Sequence, residues 1–229
     1  MMRKIARLLA IMCFLGVTSC SNSLPPPKPY GTQRSLEIPA LRTEVWAIAP
    51  VINLSGQSAV DSILQADILY QQLQQVRGMT VVPVDRVVQT YAGLNIEKVE
   101  SPQQAATVCD ILGADGLIVA TVTQYDPYTP PKMGASLVLF RKPSGFHREL
   151  AEAQVTGHPS PIKPGQIKQA VGMFDSADGT TRQALLDFSR GRTDPNGPMA
   201  DREYFLSMDR YSGFVYHQLI AELIGVPAE

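Results

Sequence analysis

Few side chains in this sequence of 229 residues combine the types and spacing that catalysis or metal binding requires. The histidines His147, His158 and His217 lie too far apart for the paired spacing of a zinc site. Nucleophile-elbow, phosphate-loop and zinc-protease motifs do not occur. The run DSADG at 175–179 suggests a calcium loop, but its twelfth position is Leu186, where a bidentate glutamate is needed. We therefore expect a protein that is not an enzyme and uses neither a cofactor nor a metal.

One of the three cysteines, Cys20, follows a segment with the composition of a signal peptide. Three basic residues and no acid precede ten apolar or small residues, LLAIMCFLGV, at positions 8–17. This run is shorter than the roughly 20 residues of a membrane-spanning helix, and it fits the core of a signal peptide. The pattern predicts that residues 1–19 are removed.

The sequence Val17-Thr18-Ser19-Cys20 resembles the bacterial lipobox. In lipoproteins of that family, diacylglycerol is attached to the cysteine sulfur, the chain is cut before the cysteine, and the new amino terminus is usually acylated. The resemblance implies a stable membrane anchor on Cys20, because two or three acyl chains bind a bilayer far better than one. Ser21, in place of aspartate, resembles the signal of outer-membrane lipoproteins. The alternative is an ordinary secretory signal that ends near a cysteine.

The remaining charge and cysteine content exclude other classes of protein. Removal of the signal peptide leaves 17 basic and 21 acidic residues, and no basic stripe with interleaved aromatic residues is present. We therefore expect no nucleic-acid partner. Cys109 is the one cysteine left after Cys13 and Cys20 are accounted for, so an intrachain disulfide is excluded. Its place in an apolar helical stripe indicates a small core residue.

The mature chain is predicted to consist of a spacer and one folded domain. Residues 20–44 contain five prolines, which favour an extended polyproline helix of about 3.1 Å per residue, so the spacer could reach several tens of Å. It serves either to clear the bilayer or to let the domain reach partners away from it. Residues 45–229 are predicted to form a single globular domain.

Apolar periodicity predicts an α/β fold with a mixed sheet packed with helices, and α+β remains an alternative. Strands are predicted at 45–54, 79–84, 116–122, 133–140 and 170–175. Helices are predicted at 58–76, 85–92, 102–112, 180–191 and 200–224. The last two helices follow the sheet, and the proline-containing stretch 142–169 is predicted to be a long loop with a weak strand near 153–156.

Two of these helices carry stripes that are predicted to face the core. The stripe of the first helix is Ala59, Ile63, Ala66, Tyr70 and Leu73. The stripe of the last helix is Tyr204, Met208, Tyr211, Val215, Leu219 and Leu223. Methionine and aromatic stripes at this spacing are more often core than ligand site.

Three segments, VWAIAPVINLSG, MTVVPVDRVVQTYAGL and QAATVCDILGADGLIVATVTQY, resemble the family of the TolB amino-terminal domain, CsgG and LpoB. Its members begin with a strand like VAVLPFxNxS and later have a helix that ends in LGAD, matched here at 112–115. The similarity covers 45–122, about a third of the chain. It implies helices packed on a sheet, in a lipoprotein of the bacterial envelope. The family includes pore formers and LpoB, an activator of penicillin-binding proteins. The run 134–140 is shorter than the roughly 9–11 alternating residues of a membrane strand.

We therefore expect a non-enzymatic lipoprotein that faces the periplasm from a membrane, the outer one in preference to the inner, and binds another envelope component. The alternative is an oligomeric structural subunit of a secretion or transport assembly, since some relatives form rings. Tyr125 and Tyr128, in the proline-rich segment 123–132 between two strands, are the predicted partner contacts, because aromatic side chains on rigid loops are typical of interfaces. They could instead cover the end of the sheet.

Overall fold

The computed structural model describes residue 29 and residues 31–33, 35–38, 43–143 and 166–227. The predicted signal peptide, Cys20, Ser21, the weak strand near 153–156, His147 and His158 all lie outside these residues. Within them, no helix combines the length and apolar character needed to cross a membrane.

The described strands form one mixed sheet, as predicted, but they number six, because the strand predicted at 45–54 is divided into two. They are β1 (Glu44–Ile48), β2 (Ile52–Asn53), β3 (Met79–Val82), β4 (Gly116–Asp126), β5 (Lys132–Arg141) and β6 (Ile167–Asp175). The order is β3-β1-β4-β5-β6, and β2 pairs with the later part of β4. Strands β1, β2, β3 and β4 pair in parallel, whereas β5 is antiparallel to both β4 and β6. The last three residues of the predicted loop 142–169 belong to β6, because their backbone continues the ladder with β5.

The described part of the chain contains six helices, which pack on the sheet. They are α1 (Ser62–Gln74), α2 (Val84–Leu94), α3 (Pro102–Leu112), α4 (Gly179–Ser189), α5 (Glu203–Leu206) and α6 (Met208–Ile224), with a 3₁₀ turn at Ala200–Arg202. The single helix predicted at 200–224 is wrong. Ser207 has an extended backbone and its side chain accepts a hydrogen bond from the Arg210 amide, so it ends one helix and caps the next.

Helices cover both faces of the sheet in three layers. On one face α1, α4 and α6 enclose the larger core with one side of β4 and β5. On the other face α2 and α3 pack on β1 and the start of β4. Helix α6 is buried on nearly all sides, and the Tyr216 hydroxyl donates a buried 3.0 Å hydrogen bond to Gln65 of α1. This all-round burial makes α6 the central element of the larger core.

The structure confirms the core stripe of the last helix and only part of the first stripe, in which Ala66 and Leu73 are fully buried but Ala59 and Ile63 are exposed. Val215, Tyr211 and Leu219 are fully buried. Helix α1 begins four residues later than predicted, because Asp61 accepts hydrogen bonds from two amides of the first turn. Its Ile63 is 42% exposed, since the buried face is formed by residues from Gln65 onward.

The folded domain begins earlier in the chain than the predicted boundary at 44/45. Leu36 and Ile38 are buried in the larger core. The Ile38 amide donates to the Arg77 carbonyl (3.0 Å), and the Arg77 amide donates to the Leu36 carbonyl (2.8 Å). Glu44 is the first residue of β1 rather than the last of a spacer. Two apolar side chains between prolines are too weak a pattern to predict such docking.

Candidate functional site

The candidate site is the end of the sheet where β4 turns into β5. Both strands run further than predicted, since Asp126 still pairs with Lys132. The connecting loop is therefore 127–131 instead of 123–132. An ion pair of 2.8 Å between Lys132 and Asp175 joins β5 to β6 beside the loop. The hydrogen bond from Lys132 is the main cause that lowers the pKa of the Asp175 carboxyl.

Tyr125 does not present its ring to a partner, contrary to the prediction. It is 7% exposed and packs in the larger core, and this burial raises the pKa of its hydroxyl. The register between β4 and β5 shifts between Val122 and Gln124. A β-bulge of this kind inverts the alternation of side chains. Val122 and Tyr125 consequently both point into the larger core, although they are three positions apart and regular alternation would place them on opposite faces.

Tyr128, the other predicted contact, is 81% exposed at the tip of the loop. Its amide donates to the Asp126 carboxylate at 3.2 Å. The Thr129 hydroxyl donates to the Phe205 carbonyl (3.3 Å), and the Pro131 carbonyl accepts from the Ser176 amide (3.1 Å). Hydrogen bonds at Tyr128 itself, at Thr129 and at Pro131 thus hold the loop, while the ring of Tyr128 is exposed.

A cavity of about 500 Å³ opens beside the tyrosine. Its walls are polar and include Ser55, Gln57, Thr123, Gln124 and Asp126. The turn after β2 forms one wall, held by Asn53, whose side-chain oxygen accepts from both the amide (3.0 Å) and the hydroxyl (2.7 Å) of Ser55. We define the Tyr128 surface as loop 127–131 together with this cavity. An aromatic ring beside hydrogen-bonding groups suits recognition of a protein surface.

The remaining described candidates for chemistry have structural roles. Among the described residues, no group of three or more metal-binding side chains is present. Cys109 is fully buried, and this burial raises the pKa of its thiol to about 12. A thiol with so high a pKa is a poor nucleophile, and its place in the core agrees with the prediction. In the run 175–179, Asp178 accepts a hydrogen bond from the Thr181 amide and caps α4.

His217 of α6 makes stability depend on pH. Burial, and to a smaller extent the charge of Arg192, lower the pKa of His217 from 6.5 to about 4. Below about pH 6.5 the histidine of the unfolded chain binds a proton, whereas His217 in the folded protein stays neutral until the pH approaches 4. The contribution of neutral His217 to stability is therefore fully present above pH 6.5 and is lost as the pH falls toward 4. We expect the free energy of unfolding to fall by about 2 kcal/mol between about pH 7.5 and about pH 5. In urea titrations, the free energy of unfolding of His217→Gln should fall little over that interval. An equal fall in the parent and the variant would contradict the assignment of this pH dependence to His217.

Sequence reasoning missed an apolar surface on β6. Ile167, Val171 and Met173 are each at least half exposed. They lie at alternating positions, on the face of the strand opposite Ala170, which is buried in the larger core. The sequence shows apolar residues on both faces of this strand but carries no signal for which face is covered.

No family model and no curated protein matches this sequence. Among solved structures, the LpoB C-terminal domain from Salmonella enterica is 12% identical with a TM-score of 0.42, covering 60% of this chain and 86% of that one. Lipoprotein GNA1162 from Neisseria meningitidis is 16% identical with a TM-score of 0.37, covering 63% and 94%. The PelC dodecamer from Paraburkholderia phytofirmans is 14% identical with a TM-score of 0.32, covering 67% and 88%. The chain resembles these bacterial proteins, and this resemblance extends no further than the fold.

Proposed function

We propose that this chain is a non-enzymatic lipoprotein, anchored by acyl chains on Cys20, that faces the periplasm and binds another envelope protein through the Tyr128 surface. The lipobox and Ser21 support an anchor in the outer membrane in preference to the inner. The observation that carries the binding role is the exposure of Tyr128 on a loop that is held by hydrogen bonds at Tyr128, Thr129 and Pro131.

The energetics of association favour this surface. A large aromatic ring buries much apolar area on binding, and tyrosine is enriched among residues that dominate interface energy. Because the loop is already ordered by its hydrogen bonds and three prolines, little conformational entropy is lost when a partner binds. The polar cavity offers hydrogen bonds at the rim of the contact. These properties fit a protein partner.

Replacing Tyr128 with alanine is expected to weaken partner binding without destabilising the domain. Loss of an interface residue of this kind costs about 2 kcal/mol or more, roughly a thirtyfold loss of affinity. Crosslinking in intact cells, followed by identification of the attached protein, measures the effect. The matched control is Ile111→Ala, another exposed apolar side chain, on α3. A fall in melting temperature, or equal crosslinking loss in both variants, would contradict the proposal.

A second candidate function is that of an oligomeric subunit in a secretion or transport assembly. The observation that favours it is the exposed apolar face of β6, a strand at the end of the sheet order. An exposed apolar face of this kind is typical of a surface that contacts another chain. Size-exclusion chromatography with light scattering on the detergent-solubilised protein separates the two functions. A discrete large ring supports the subunit, whereas a monomer supports the binding module.

A further inference from the structure

The described residues at the amino-terminal end, 31–33 and 35–38, make several contacts with the folded domain. The Gln33 side-chain amide donates a 2.7 Å hydrogen bond to the Gln75 side chain at the end of α1. A parallel bridge joins Glu37 to Arg77, and the side chains on both sides of Glu37 are buried in the larger core. This segment is thus packed as part of the domain.

The backbone of residues 31–33 crosses the backbone of the domain closely at Gly191. Its φ of +74° lies in the left-handed region, and a Cβ there would stand 2.4 Å from the Gln33 nitrogen and 2.7 Å from the Gly31 oxygen. A Cβ on Gly31 would in turn lie 3.1 Å from the Cβ of Arg190. No side chain fits at Gly191 while the two backbones touch, so glycine is required for the crossing.

The crossing lies between two clefts on the α1, α4 and α6 side of the sheet. One cleft, of about 710 Å³, is lined by Gln33 and Gln75 and by residues of α5 and α6. The other, of about 350 Å³, is lined by Pro29, Gly31, Arg190 and Pro195. The chain therefore reaches the domain beside the turn 190–201, on the face opposite α2 and α3.

We propose that the described residues 31–33 and 35–38, here called the strap, are fastened to the domain by this crossing and orient the domain with residues 190–201 toward the bilayer. The orientation rests on the proposed anchor at Cys20, whereas the strap itself does not. Only 11 residues, 20–30, separate the lipid from the strap. Even fully extended they span at most about 40 Å. The domain is held close to the membrane with α2 and α3 facing away from it.

Hydrogen exchange on the soluble Cys20→Ser protein tests the strap. We expect slow exchange of the Arg77 and Ile38 amides, both of which are hydrogen-bonded across the strap contact. Gly191→Ala should accelerate both at least tenfold. The control is Gly56→Ala, since Gly56 has nearly the same φ, +73°, with nothing within 4 Å of the added Cβ. Rapid exchange of these amides in the parent protein, or equal rates in both variants, would contradict the proposal that the crossing at Gly191 fastens the strap to the domain. If Gly191→Ala does not fold, the milder Gly31→Ala replaces it with the same expected acceleration.

Energy transfer to a labelled lipid tests the orientation. The lipidated protein is placed in vesicles of phosphatidylethanolamine and phosphatidylglycerol, with a dye on Pro198→Cys or on Gln103→Cys of α3. We expect stronger transfer from position 198 than from position 103, and a smaller difference after Gly191→Ala. Equal transfer in the parent protein would overturn the orientation. Failure to bind vesicles would overturn the anchor and the orientation with it, while the exchange experiment on the soluble form would still decide the strap.

Discussion

Replacing Val215 with aspartate is expected to unfold the domain. Val215 is fully buried in α6, the helix that joins α1 to the sheet in the larger core. An unpaired carboxylate there costs about 3 kcal/mol or more, a large part of the roughly 5–15 kcal/mol of a typical domain. Thermal unfolding followed by circular dichroism measures the loss, as a melting temperature far below that of the parent or an unfolded spectrum.

The control for this substitution lies on the same helix. Glu222 is exposed, so Glu222→Gln should change stability by less than about 0.5 kcal/mol. Val215→Thr introduces a hydroxyl at nearly unchanged shape, so its melting temperature should lie between those of Val215→Asp and Glu222→Gln. An unchanged melting temperature for Val215→Asp would mean that α6 is peripheral and that its apolar residues form an interface.

Replacing Cys20 with serine is expected to move the protein from the membrane fraction to the soluble periplasmic fraction. Serine has no thiol, so the thioether to diacylglycerol cannot form and the chain carries no lipid. Each buried methylene of an acyl chain contributes about 0.8 kcal/mol to membrane binding, so loss of the lipid removes the anchor. Fractionation with metabolic labelling by palmitate measures both location and lipid.

The matched control is Cys13→Ser, which removes another cysteine from the same leader. We expect this variant to remain lipidated and membrane-bound, because position 13 lies inside the predicted signal peptide and carries no lipid. If Cys20→Ser stays in the membrane fraction after a high-salt wash, the interpretation of Cys20 as the lipidation site is wrong. Loss of label from both variants would also argue against it.

The elements predicted best are those whose signals are local. Helix α3 begins after Ser101, whose hydroxyl accepts from the Gln104 amide, and ends at Gly113 in the left-handed conformation. The Gln104 side chain also accepts a hydrogen bond from the Glu100 amide, which lies just before the helix. Every residue in this unit lies within a few positions of its partners, so the chain alone specifies the helix.

The sequence by itself determined the lipobox hypothesis, the mixed α/β sheet and the burial of Cys109, because spacing and composition carry these features. Only the tertiary structure decided that Tyr125 turns inward at a bulge, that Leu36 and Ile38 join the core, and that β6 exposes an apolar face. Each of these depends on residues distant in the chain: the register against β5, the contact with Arg77, and the extent of α2 and α3. A local pattern shows that a side chain is apolar, but the element that covers it is chosen by the packing of the whole domain.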